Sequence, residues 1–195
     1  MVWLDNRAAD EAALIEAHFG KRKVYEVTGQ PEITASWPAS KLLWFRRNRP
    51  EVWEKTEKIF LLEDYIIFRL TGEFVTEPTI QSSSVYFDIR ERRFWREMLD
   101  FIGVDERKLP RVLRTAEKAG CFDGITVVCG ALDQIAGAVG VGVTDTGEVS
   151  EMTGTALAVC AVTDKIPPYR ADSIVPCHLH VDGKYCLLLW SATAG

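Results

Sequence analysis

No apolar run in these 195 residues approaches the ~18–20 that a membrane-spanning helix needs. The longest candidate, at 186–190, is the length of a strand. The opening Met1-Val2-Trp3-Leu4-Asp5 lacks the basic start and long apolar core of a secretory signal, so a cytoplasmic location is expected. A surplus of one charge is also missing. Acids and bases are interspersed around a formal net charge of -5, which leaves no basic stripe for nucleic acid. The five cysteines, Cys121, Cys129, Cys160, Cys177 and Cys186, form no C-x-x-C pair. An odd number within apolar stretches predicts buried, reduced thiols rather than a disulfide framework. Cys177-His178-Leu179-His180 is the nearest thing to a metal motif, but strand alternation would send its ligands to opposite faces, and no metal site is expected. Internal repeats, low-complexity tracts and Pro/Ser-rich linkers are absent too.

What remains is an ordinary globular composition with two textures. The first half, 1–115, reads as mainly helical. Residues 7–19 carry a periodic apolar face and close on Gly20; 40–45 begins with a possible Ser40 cap; Pro50 restarts a helix in its first turn. A short buried strand is expected at 58–62, a helix at 63–70 stopping at Thr71-Gly72, and another helix at 93–101 ending by Gly103. The second half, 116–195, reads as strand-rich: 125–129 as a buried strand, a small-residue helix at 134–139, strands around Thr153-Gly154-Thr155, and a hairpin turning at Asp182-Gly183. Helices followed by tightly turned strands argue for an α/β fold.

Four segments are candidates for chemistry. In Cys129-Gly130-Ala131-Leu132-Asp133-Gln134 a strand runs into a turn and a carboxylate opens a helix. In an α/β sheet that is where ligands sit, and Asp133 there can accept a hydroxyl proton while Gln134 bonds a polyol. Capping the helix is the competing role for Asp133. Thr153-Gly154-Thr155 can hold phosphate oxygens on backbone N–H groups, or simply close a hairpin. Ser36 and Trp37 precede a helix and can line a sugar cleft, although tryptophans are more often core. Asp5 and Arg7 form either an ion pair or a cap. The glycines of 137–142 do not match G-x-G-x-x-G and follow a helix instead of opening one; helix packing and termination explain them.

The order of these segments is more specific than any one of them. Trp3-Leu4-Asp5-Asn6-Arg7, the Pro38 to Trp44 P-x-x-K-L-L-W helix, P-E-x-W at Pro50, and the run from Leu61 to Glu73 come first. Thr76-Glu77-Pro78-Thr79, Ser82-Ser83-Ser84, Tyr86-Phe87-Asp88, Leu109-Pro110, Gly130 through Ala138 and Gly154-Thr155 follow. Along essentially its whole length the chain resembles the FGGY carbohydrate kinases, most nearly those of xylulose-kinase type. The resemblance implies a ribonuclease-H-like (actin-like ATPase) domain with a helical insertion in its N-terminal half. It further implies an ATP- and Mg2+-dependent transfer of phosphate to a hydroxyl of a ketopentose or related polyol. Asp133 would be the base, Gln134 a sugar ligand with Ser36 and Trp37 nearby, and Gly154 and Thr155 a phosphate-contacting turn. Ser36 replaces the tyrosine by which glycerol kinases touch their substrate, which counts against glycerol.

The family's first phosphate loop, Asp-x-Gly-Thr, is not found here, nor is its second domain. The chain is therefore expected to be part of the N-terminal domain, inactive alone, and to associate with complementary kinase segments or with itself. Its small-molecule partner would be a sugar, with no nucleic acid and no membrane. The alternative is a non-catalytic remnant that binds a sugar or a partner protein.

Overall fold

The computed structural model describes residues 1–154 and 157–191. Helix α1 (Ala9–Phe19) ends at Gly20, and α2 (Lys21–Thr28) follows at once, closing on the left-handed Gly29. No start signal marks α2 in the sequence. It opens on three cations where the helix dipole favours acids, and burial of Val24, Tyr25 and Thr28 holds it in place. In α3 (Pro38–Asn48) the proline occupies the first turn and Trp37 precedes it, so the expected Ser40 cap is not one. The Ser40 hydroxyl instead donates to the Thr34 carbonyl at 2.8 Å. A short α4 (Pro50–Trp53) restarts at the second proline.

The strand expected at 58–62 does not form. Ile59 N–H reaches the Lys108 carbonyl at 2.8 Å, but the backbone beside it curls into a 3-10 turn (Glu106–Lys108) that cannot extend a ladder. Helix α5 (Leu62–Thr71) begins where Asp64 accepts the Leu61 N–H at 3.0 Å and stops at the left-handed Gly72. Then come β1 (Val75–Thr76), α6 (Pro78–Gln81), and β2 (Phe87–Asp88) paired antiparallel with β3 (Arg93–Phe94). That pairing removes Arg93 and Phe94 from the expected helix, leaving α7 (Arg96–Ile102), which closes on Gly103. One apolar core, including Ile15, Val24, Leu43, Tyr86, Met98 and Leu99, joins α1, α2, α3 and α7.

β4 (Arg111–Val112) pairs parallel with β1. β5 (Lys118–Phe122) and β6 (Ile125–Val128) form a hairpin turned at Asp123-Gly124. β6 was expected to be buried, but Ile125 is 68% and Val128 46% exposed. Val127 packs half-buried against a core made by the flanking Cys129 and the facing Ala119 with Ile67, Val75 and Leu113. Helix α8 (Asp133–Gly140) leads to β7 (Val149–Thr153), β8 (Leu157–Thr163), β9 (Cys177–Leu179) and β10 (Tyr185–Ser191). These four form one antiparallel sheet in the order β7-β8-β10-β9. The expected Asp-Gly turn is present, with Asp182 and Gly183 both at positive φ. Ile135 and Ala138 seat α8 on Cys160, Cys186 and Leu188 of the sheet. The expectation of reduced thiols fails at one pair. Register places Cys160 and Cys186 diagonally on neighbouring strands, and they are joined as a disulfide with Cα atoms 6.0 Å apart.

Candidate functional site

The turn between β6 and α8 carries the site. Leu132 is the last residue before the helix, and Asp133 is its first. Leucine offers no capping oxygen, so the simple reading of Asp133 as the cap does not hold. Asp133 lies in the first turn, where the helix dipole favours an anion. Its Oδ1 accepts the Gln134 N–H at 3.0 Å, and the side chain is otherwise exposed. Gln134 beside it is half-buried.

The hairpin of β7 and β8 lies against the same helix. Gly137, one turn after Asp133, faces Met152 of β7, so closely that a Cβ there would stand 2.6 Å from the Met152 methyl. Gly154 at the hairpin tip is exposed. The Thr153 hydroxyl donates to Glu151 Oε1 at 2.6 Å. Two of the expected site elements, Asp133-Gln134 and the Gly154 turn, therefore belong to one packed unit. Thr155, expected in the same turn, lies outside the described residues.

Ser36 and Trp37 sit in the helical lobe. The Trp37 indole donates to the Glu32 carbonyl at 2.9 Å and its ring packs half-buried on the main core. No hydrogen bond links either residue to Asp133 or Gln134 among the described residues. Asp5 and Arg7 pair at 2.9 Å, the first of the two roles open to them.

Beneath the turn lies a group that spacing alone did not single out: Glu63, Asp64 and Glu77. Glu63 Oε1 accepts the Gly130 N–H at 3.1 Å. Burial, then the like charges on Glu77 and Asp64, push its carboxyl up to about 7 against that hydrogen bond. Burial likewise raises Asp64 to about 6 and the nearby Cys129 thiol to about 12. Glu77 is fully buried and satisfied by the N–H groups of Thr79 and Ile80 and the hydroxyls of Thr79 and Thr115. The available signal was Glu-Pro-Thr, an acid just ahead of a helix-starting proline. Among the described residues no three His, Cys, Asp or Glu side chains converge as for a metal ion, and no helix is long and apolar enough to cross a membrane.

Residues 1–140 match the model of the FGGY family of carbohydrate kinases, N-terminal domain. The chain belongs to the FGGY family of carbohydrate kinases. Among its FGGY relatives, the xylulose kinase of Escherichia coli is 30% identical over 174 residues, covering 84% of this chain. An autoinducer-2 kinase of Klebsiella pneumoniae is 30% identical over 166 residues, covering 78% of this chain. The chain spans only 35% and 31% of those two proteins' lengths. The solved xylulose kinase of Rhodospirillum rubrum superposes with a TM-score of 0.88 at 24% identity, over 98% of this chain and 41% of that one. The fold is accordingly the actin-like ATPase fold of the FGGY kinases, mixed α/β.

Proposed function

We propose that this chain is the substrate-facing segment of an ATP-dependent sugar kinase that phosphorylates a hydroxyl of a ketopentose or a related sugar or polyol. The observation that carries the reading is the Asp133 carboxylate: exposed, at the start of α8, and bonded only to its neighbour's N–H among the described residues. A carboxylate so placed can align an attacking hydroxyl and take its proton late. That suffices in a loose phosphoryl-transfer transition state, where positioning and charge neutralisation dominate. Gln134 supplies both a donor and an acceptor for the sugar's other hydroxyls. Ser36 and Trp37 would face the same sugar from the helical lobe.

ATP with Mg2+ is the co-substrate this site suits. Gly154, exposed at the end of β7, can offer its backbone N–H to a phosphate oxygen. Mg2+ commonly takes one or two carboxylates and completes its shell with phosphate and water. When bound, the metal would neutralise phosphate charge; the chain's own part is to orient the hydroxyl and hold its proton on Asp133.

The segment alone should not turn over, because the family's Asp-x-Gly-Thr loop is not in it. Exposed apolar side chains at Leu62, Phe122, Ile125 and Val128 favour association with complementary segments or with itself. The test is phosphoryl transfer from ATP to a panel of ketopentoses, gluconate and glycerol. It would be run on the 195-residue chain and on the chain complemented by the portions of a family kinase that it does not cover. Activity is expected only in the complemented form, best with a ketopentose, and Asp133→Ala should lower it by orders of magnitude with the fold kept. Wild-type rate in Asp133→Ala would remove the carboxylate from the reaction.

A further inference from the structure

Two N–H groups in the turn ahead of Asp133 are held by side chains from distant segments. Gly130 is tied to Glu63, as described above. Leu132 N–H donates to Thr79 Oγ1 at 2.8 Å, across 53 residues of sequence. Leu132 occupies the position where a serine, threonine or aspartate would normally supply a capping oxygen, and it makes no side-chain cap. Thr79 brings a hydroxyl to this turn from α6.

That hydroxyl has one available orientation. Its proton goes to Glu77 Oε1 at 2.6 Å, because the Leu132 N–H on its other side can only donate. Its lone pairs are thereby left towards Leu132. Glu77 cannot turn away, since its two oxygens also receive Thr79 N–H at 2.9 Å, Ile80 N–H at 2.5 Å and Thr115 Oγ1 at 2.7 Å. Both residues are sealed, Glu77 at 0% and Thr79 at 1% exposed, so water cannot substitute for either partner.

We propose that Thr79, oriented by Glu77, is a positioning residue for the phosphoryl transfer: it fixes the backbone at Leu132 and so aims the Asp133 carboxylate. This rests on the reading of Asp133 as the base. Thr79→Val keeps the shape and loses the acceptor; Thr79→Ser keeps the acceptor. In the complemented kinase, with ATP and the sugar of the panel that wild type turns over best, Thr79→Val should lower kcat by about 10- to 100-fold. Both KM values should stay within about threefold, and Thr79→Ser should recover most of the rate. In the 195-residue chain, amide exchange at Leu132 should quicken by about tenfold or more in Thr79→Val and not in Thr79→Ser.

Full kcat in Thr79→Val, unchanged Leu132 protection, or equal damage from serine and valine would each overturn the proposal. Thr79→Cys, a weaker acceptor of similar volume, carries the same expectations at smaller scale if the valine variant does not fold. Asp133→Asn separates the two readings. If it is inactive while Thr79→Val is not, this inference alone fails. If it is fully active, or if no sugar is turned over, the base reading fails, and Leu132 exchange still decides whether Thr79 anchors the turn.

Discussion

The N–H of Cys177 donates to the Gly29 carbonyl at 2.9 Å, tying the end of α2 to the edge strand β9. Gly29 has φ of 74°, and a Cβ there would lie 2.7 Å from Ile89 Cδ1 and run into the Cys177 carbonyl oxygen. Gly137 is as tightly faced, at 2.6 Å, but by the free end of the Met152 side chain, which can swing aside. Gly29→Ala should therefore cost about 2–4 kcal/mol, from left-handed strain plus overpacking against backbone. Gly137→Ala should stay within about 1 kcal/mol, because helix propensity gained offsets the displaced methyl. Urea denaturation of both variants checks this, and equal losses would contradict the packing argument.

The N-terminal segment gives a second contrast. Val2 and Leu4 are 68% and 64% exposed, so apolar burial does not hold them. Polar contacts do: Lys41 Nζ donates to the Val2 carbonyl at 2.6 Å, Asp5 pairs with Arg7, and the Arg7 guanidinium lies over the Trp44 ring at 5.2 Å. Lys41→Met keeps the buried stem and loses the donor. Amide exchange over residues 2–7 should then quicken by about tenfold, the loss of one charged hydrogen bond, while the global midpoint moves little. Uniform loss of protection across α3 as well would mean that Lys41 supports the core instead.

Local chemistry made much of this structure legible in advance. Gly20, Gly72 and Gly103 stop helices as their positions in sequence imply, Pro50 starts one, and Asp182-Gly183 turns its hairpin, whereas the helix expected from Ser40 begins two residues earlier, at Pro38. Elements decided by a distant partner differ from what their local sequence implies. Residues 58–62 resemble a strand, but Ile59 meets a 3-10 turn; α2 begins against its dipole and is held by tertiary burial; β6 turns Ile125 and Val128 outward and packs only Val127 inward. The site divides the same way. Asp133 and Gln134 stood out because a strand, a turn and a helix meet there. Glu63 and Thr79 did not, because their hydrogen bonds to the turn span 67 and 53 residues.

Buried titratable groups set opposing pH dependences on stability. Glu63 moves from 4.5 to about 7 on folding and Asp64 from 3.8 to about 6, each mainly by burial. The folded chain thus binds protons more tightly at these sites, and their contribution, full at low pH, is lost as pH rises through about 4 to 7. His178 does the reverse: complete burial lowers it from 6.5 to about 4, so stability is lost as pH falls through that window. The histidine also has a fixed donor, since the Ser82 hydroxyl donates to the Thr79 carbonyl at 2.5 Å and leaves its lone pairs for His178 Nδ1 at 3.1 Å. Glu63→Gln retains an acceptor for Gly130 and removes one of the two falling contributions, so stability should fall less steeply with pH than in wild type. His178→Asn retains a donor to Ser82 and removes the rising one, so stability should fall as pH is raised. Urea midpoints between about pH 4.5 and 7.5 separate the two. Parallel profiles for wild type and both variants would show that neither group changes its proton affinity on folding.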